Sequence, residues 1–123
     1  MAELKDLLGK TMVRVENVGN EELVFTTTEG RRYKLHHYQC CCESVTIESI
    51  VGDLTDLVGE PLLMAEESTS GKHPEGYTPS EYEESFTWTF YKFATRKGYV
   101  DVRWLGESNG YYSESVDFDE VRQ

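Results

Sequence analysis

The sequence lacks any apolar run near the ~18 residues that a membrane span requires, and it shows no basic leader followed by an apolar stretch. We therefore expect a cytoplasmic protein that makes no membrane contact. Cysteine is also scarce, since its three copies form a single block at 40–42. An odd count at this spacing favours neither a disulfide framework nor paired zinc knuckles, which fits a reducing compartment.

Basic residues are few. Twelve Lys and Arg stand against 23 Asp and Glu, which gives a formal net charge of −11. Because such a chain repels phosphates, direct nucleic-acid binding is not expected. The sequence also has no Gly-rich phosphate loop, and no residue set in it has the pattern of a catalytic site. It therefore predicts a protein that is not an enzyme and that carries no cofactor.

The chain holds enough apolar material for one core. Of its 123 residues, 38% are hydrophobic and 12% are aromatic, which argues for a single folded domain over residues 1–123. Leu4, Leu7 and Leu8 recur at helical spacing before Gly9, which predicts a short amphipathic N-terminal helix.

Alternating or β-branched runs predict most of the remaining structure. Residues 12–16, 22–28 and 32–36, with turns at 19–20 and 29–30, predict a first antiparallel meander. Residues 44–50 predict a fourth strand, Asp53 is placed to cap one turn of helix, and residues 62–65 predict a further strand. The aromatic-rich runs 85–93, 99–104 and 111–118 predict a second meander.

Residues 68–84 are predicted as a long acidic loop, which is either disordered or functional at this length. The predicted fold class is therefore α+β, with a predominantly antiparallel sheet of two meanders, a short N-terminal helix and one long loop. Within the run 85–93, we expect one face in the core and the other on a polar surface. The expected core residues are Phe86, Trp88 and Phe90, and the expected polar ones are Thr87, Thr89 and Tyr91.

The acidic residues fall into two segments. Residues 60–84 carry seven acids and one base, and residues 107–120 carry five acids and no base, so together they account for the net charge of −11. If the last strand lies beside the base of the loop, these carboxylates form one negative surface that attracts a basic partner. The alternative is a solvated face that keeps the protein in solution. The predicted partner-binding residues are Glu66, Glu67, Glu81, Glu83, Glu84, Glu107, Glu114, Asp117 and Asp119.

A planar ligand is the second hypothesis for a site. Arg103, Trp104, Asn109 and Tyr111 surround one predicted turn and could stack on and hydrogen-bond such a ligand, with Thr87, Thr89 and Tyr91 beside them. The same residues also suit a simple hairpin, because an Asn-Gly pair with flanking aromatics is typical of one.

A metal site is not expected. The residues at 36–37 and 40–43 place two His, three Cys and one Glu close together, but no second ligand pair accompanies them and the only other His is His73. The small thiols of a turn are the simpler interpretation.

Five blocks of the sequence carry a family resemblance. They are CCESV at 41–45, GDL at 52–54, AEE at 65–67, SFTWTFY at 85–91 and GESNGYYS at 106–113. Together they resemble an uncharacterised domain family found in bacteriophage and prophage proteins. The resemblance implies a phage accessory protein that counters host defence, either by masking a nucleic-acid-handling host protein with a basic surface or by sequestering a nucleotide-like signal. The first of these is the predicted function and the second is the alternative.

Overall fold

The structure is a computed structural model that describes residues 3–37, 43–71, 85–108 and 114–121. This part of the chain is mostly β, with eight strands and two single turns of 3-10 helix. The strands are β1 (Met12–Val18), β2 (Glu22–Thr27), β3 (Arg32–His36), β4 (Glu43–Val51), β5 (Met64–Ser70), β6 (Ser85–Thr95), β7 (Gly98–Ser108) and β8 (Asp117–Val121). The 3-10 turns are Leu4–Leu7 and Leu54–Leu57.

The α+β class is not confirmed, because the predicted N-terminal helix is a single 3-10 turn. Gly9 follows this turn at a φ of +81°, a left-handed conformation that ends helical structure. The turn still contributes to the core, since Leu7 is fully buried. The predicted cap on the second turn is confirmed, because the Asp53 carboxylate accepts a hydrogen bond of 2.9 Å from the Thr55 amide.

The strands form two antiparallel sheets of four. The first sheet has the order β1-β2-β3-β8 and the second has the order β4-β7-β6-β5. The first predicted meander is confirmed as β1-β2-β3. Its first turn works as predicted, because Gly19 and Asn20 have φ values of +60° and +62°, which is the conformation of a type I′ turn.

The second predicted meander is only partly right. The β6-β7 hairpin is present, but the strand that follows, β8, pairs with β3 in the other sheet. Both sides of β7 are already occupied, since β4 pairs with one and β6 with the other. On β8, Phe118 packs its ring parallel to that of Tyr33, with centroids 5.7 Å apart.

The core lies between the facing sides of the two sheets. Phe25 of the first sheet meets Phe93 of the second with ring centroids 5.2 Å apart. Tyr91, Val102 and Trp104 belong to the same buried cluster. We call the side of each sheet that faces this core its inner face and the opposite side its outer face.

The prediction for the faces of β6 is wrong except at Trp88, which is fully buried as expected, whereas Phe86 and Phe90 are only half-buried. Thr89 and Tyr91 are only 3% and 1% exposed, and Tyr91 shares the inner face with Phe93. Phe90 is half-buried on the outer face. The prediction fails here because aromatic residues occupy both alternating sets of this strand, so alternation alone does not identify the inner one.

The predicted loop at 68–84 begins too early, because β5 continues through Ser70. Residues 72–84 lie outside the described part of the chain. Within the described residues, no helix has the length and apolarity needed to cross a bilayer.

Candidate functional site

The outer face of the second sheet carries a groove of about 560 Å³ that crosses all four strands. Its volume falls in the usual range of ligand pockets. Cross-strand register sets its floor, because residues paired across neighbouring strands share a face. One row across the sheet runs Ser49, Arg103, Phe90 and Ser68, and the next runs Val51, Asp101, Lys92 and Glu66. Glu67, Tyr91 and Val102 complete the lining.

Arg103 is held in place at one side of the groove. Its Nε donates to Oε2 of Glu48 at 2.6 Å, and its Nη2 lies 2.6 Å from the same oxygen. Its guanidinium carbon is 5.0 Å from the ring centroid of Trp88, which is fully buried. Arg103 is therefore oriented by an aromatic ring and neutralised by a carboxylate.

A β-bulge explains the position of Glu48. The register of β4 against β7 shifts between Ile47 and Ser49, so Glu48 has no partner in the ladder. A bulge re-aims the side chain of the extra residue. Here the Glu48 carboxylate reaches the guanidinium of Arg103, which is the cross-strand partner of the next residue.

The other charged groups of the groove are predominantly acidic. Glu66, Glu67 and Asp101 line it together with one ammonium group, that of Lys92. None of these four forms an ion pair with a residue that the structure describes. The Glu67 carboxylate lies on the inner side of β5, near the Tyr91 phenol. With Arg103 and Glu48 cancelling, the outer-face carboxylates of Glu66 and Asp101 exceed the one cation, Lys92, so the described lining of the groove is net negative.

The predicted acidic residues that the structure describes are divided between the two sheets. Glu66 and Glu67 are exposed on β5, whereas Asp117 is exposed on β8 in the other sheet. The carboxylate of Asp119 already contacts another residue, since its Oδ2 lies 2.7 Å from His36 Nε2. Glu107 is half-buried on β7. Three more of the predicted residues, Glu81, Glu83 and Glu84, lie outside the described residues.

Hydrogen bonds hold the side chain of Glu114 within the fold. Its carboxylate accepts hydrogen bonds from the hydroxyls of Thr87 at 2.8 Å and Ser108 at 2.6 Å. Burial alone would raise the pKa of Glu114, but the hydroxyl groups of Ser108, Ser85 and Thr87 together lower it. The residue packs directly over Gly106, where a Cβ would overlap the Glu114 backbone oxygen. Glu114 is thus bound within the fold and is a poor candidate for contact with a partner.

The residues predicted for a planar ligand lie on two different faces. Arg103 is on the outer face and is half-buried, whereas Trp104 and Thr89 are cross-strand partners buried on the inner face. Thr87 is also on the inner face, where it contacts Glu114. The structure therefore separates Arg103 from Trp104, Thr87 and Thr89, whereas Tyr91 also lines the groove although its side chain is buried on the inner face. Asn109 and Tyr111 lie outside the described residues.

Two polar atoms remain unsatisfied on the inner face. The hydroxyl of Tyr91 and Nε1 of Trp104 are buried and have no hydrogen-bond partner among the residues that the structure describes. Burial, and then the neighbouring carboxylates of Glu67 and Asp117, raise the pKa of Tyr91 far above its usual value. Glu67 is the cross-strand partner of Tyr91, so its carboxylate lies close to the phenol and raises its pKa by direct side-chain contact and then by charge, although the two groups do not meet hydrogen-bond geometry.

The two histidines that the structure describes make contacts that hold distant segments of the chain together. His36 contacts Asp119, and Nδ1 of His37 lies 2.7 Å from the Ser115 backbone oxygen. Within the described ranges, no group of three or more His, Cys, Asp or Glu side chains is arranged to hold a metal ion. The cysteines at 40–42 lie outside these ranges.

Sequence reasoning missed the groove because it placed the outer face of β6 in the core. Lys92, Asp101 and Glu48, none of which was predicted as a site residue, contribute three of its charged groups. The available signal was the charged set Asp101 and Arg103 on β7, which alternates with the apolar set Val100, Val102 and Trp104 and identifies the outer face of that strand.

The sequence matches a family described as a domain of unknown function (DUF7448) over residues 5–118, and the chain belongs to that family. No curated protein and no solved structure matches it.

Proposed function

We propose that this DUF7448 protein is a non-enzymatic binding protein that holds a basic partner protein on the outer face of its second sheet. The observation that carries the proposal is the charge of the groove. Among the described residues that line it, the one guanidinium is neutralised by Glu48, and the carboxylates of Glu66 and Asp101 then exceed the single ammonium group of Lys92. A groove of this charge attracts cationic groups and disfavours phosphates.

The exposed apolar groups beside the groove support a protein partner. Val51 and Tyr99 are each 65% exposed, which is high for side chains of their type. Tyr99, two positions before Asp101 on β7, belongs to the outer-face set, and half-buried Phe90 lies in the groove itself. Aromatic and aliphatic anchors within a charged border are typical of protein interfaces.

The charge also favours a cationic partner over the alternative function. The guanidinium proposed to hold a nucleotide-like signal, that of Arg103, already binds Glu48, and the Trp88 ring beside it is fully buried. Freeing Arg103 for a phosphate would leave the Glu48 carboxylate unpaired beside it, which costs free energy.

The negative charge of the groove also suggests what kind of protein the partner is. A protein that handles nucleic acid presents a basic surface to bind phosphates, and an acidic face can cover that surface. The resemblance to phage and prophage domains makes a host defence protein in the bacterial cytoplasm our preferred partner, and the chain would then act by blocking it.

A matched pair of charge reversals tests the proposal. Glu66→Lys alters the border of the groove, whereas Glu21→Lys makes the same change of charge in the β1–β2 turn, at another exposed site. The probe is a synthetic peptide of alternating Lys and Thr, measured by calorimetry against wild type and both variants. We expect Glu66→Lys to weaken binding by at least about tenfold and Glu21→Lys to change it little.

Salt provides the second measurement. Affinity should fall steeply between about 50 mM and about 500 mM NaCl, because exposed charges are screened over shorter distances at higher ionic strength. Equal affinity of wild type and Glu66→Lys would contradict the proposal. Release of a nucleotide on denaturing wild-type protein from cells, but not the Arg103→Ala variant, would favour the alternative.

A further inference from the structure

The edge strand β5 has the longest run of exposed residues among the described strands of the second sheet. Among the described residues it pairs with β6 alone, and the four residues Glu66–Thr69 are all exposed. An edge strand presents amide and carbonyl groups along its outer side that can pair with a further strand. In the described part of the chain, nothing hydrogen-bonds to that side of Glu66–Thr69.

Two other sheet edges are covered. On β4, the Ile47 amide donates to the Asn20 carbonyl at 2.7 Å. On β1, the bridge of Met12 to Val58 and the hydrogen bond from the Gly59 amide to the Met12 carbonyl, 2.9 Å, occupy the edge. Among the described residues, Glu66–Thr69 of β5 therefore forms the longest exposed stretch on either edge of the second sheet.

Charge indicates what kind of segment can pair there. Glu66 lies on the outer face beside the groove, while Glu67 shares the inner side with Tyr91. Carboxylates therefore project on both sides of the β5 edge. A second copy of β5 would bring these carboxylates opposite one another, and like charges paired across strands are destabilising. A segment with basic residues would instead be stabilised on either face.

We propose that the partner adds an extended basic segment to β5 as a fifth strand of the second sheet, with its outward side chains entering the groove beside Glu66. This inference rests on the proposed function, whose site it extends. Strand spacing of about 4.8 Å places a lysine of the added strand next to the Glu66 carboxylate. Main-chain hydrogen bonds then supply affinity and the groove supplies selectivity for side chains.

Backbone methylation of the Lys-Thr peptide separates strand addition from simple charge attraction. An added strand uses only the amide groups along one of its edges, so a peptide methylated on alternate amides can still present its other edge. A peptide methylated on every amide has no such edge, although its charge is unchanged. We expect the first peptide to bind within about threefold of the parent and the second to lose at least about tenfold, through the lost hydrogen bonds.

Amide hydrogen exchange of the wild-type protein provides an independent measurement. On binding of the parent peptide, alternate amides within Glu66–Thr69 should become protected, because only every second amide faces the edge. The amides of β8, at the edge of the other sheet, serve as the internal control and should not change.

The outcomes distinguish the two proposals. If all three peptides bind equally but Glu66→Lys still weakens binding, the partner is held by charge alone, and strand addition is wrong while the proposed function stands. If neither methylation nor Glu66→Lys affects binding, both are wrong. Protection on β8 in place of β5 would also overturn strand addition.

Discussion

Replacing Glu114 by alanine should destabilise the fold, although most of the acidic residues could be replaced at little cost. The substitution removes two charge-assisted hydrogen bonds, from Thr87 and Ser108. Such bonds contribute about 1.5–3 kcal/mol each when well shielded. Because Glu114 is only half-buried, we discount the pair to a total of about 2 kcal/mol. For a chain of this length, that corresponds to a fall of about 8 °C in Tm.

Urea denaturation followed by tryptophan fluorescence measures this change directly, since both Trp88 and Trp104 are fully buried and should report unfolding. The matched control is Glu66→Ala, which removes an exposed carboxylate that has no ion pair with the described residues. Its effect should stay within about 0.5 kcal/mol. If Glu114→Ala costs no more than Glu66→Ala, the reasoning that makes Glu114 an internal anchor is refuted, and its carboxylate returns to the set available for a partner.

The shifted pKa of Glu114 predicts how its contribution to the stability of the fold changes with pH. Folding lowers the pKa of Glu114 below its ordinary value of 4.5, so the folded state favours the carboxylate. Its contribution to stability is complete above pH 4.5 and is lost as the pH falls through the lower folded-state pKa. The stability difference between wild type and Glu114→Gln should therefore be constant near neutral pH and shrink in acid. A difference that grows in acid would contradict the direction of the shift.

Local geometry gives three further predictions. Gly106→Ala should cost about 1–3 kcal/mol, because a Cβ there meets backbone, whereas Gly71→Ala, with open space around it, should leave the urea midpoint unchanged. Tyr91→Phe should be neutral or stabilising by up to about 1 kcal/mol, since its hydroxyl is buried without a partner, and a clear loss in thermal melts would reveal an unrecognised hydrogen bond. A double-mutant cycle of Glu48→Ala with Arg103→Ala should give a coupling of about 1 kcal/mol, and zero coupling would show that Arg103 is free for an anion.

Local signals in the sequence were sufficient for much of the fold. The strand at 32–36 is predicted with its observed bounds, because alternation of Tyr33 and Leu35 with polar residues marks its inner face. The turn at Gly19-Asn20 and the cap at Asp53 were also predictable, since each depends on residues within a few positions.

Non-local pairing could not be predicted in the same way. Nothing in residues 117–121 specifies that they pair with β3 rather than with the nearer β7, and only the occupied edges of β7 decide it. The same holds for the candidate site. Composition identifies Glu66 and Glu67 as members of an acidic segment, but the groove depends on a β-bulge at Glu48 and on which face of β6 is inner, and neither can be read from alternation.

The pairing of β8 with β3 also has a consequence for how the protein is made. His36 and Asp119, which join these strands, are 83 positions apart, and contacts between such distant residues form slowly during folding. While the chain is being synthesised, β3 emerges from the ribosome long before β8. One edge of β3 therefore stays unpaired until β8 has been made. During that interval, the apolar side chains of Tyr33 and Leu35 and the unpaired backbone beside them form an aggregation-prone surface. The last strand thus protects the first sheet as well as completing it, and a ribosome that stalls before β8 would leave a chain prone to misassembly.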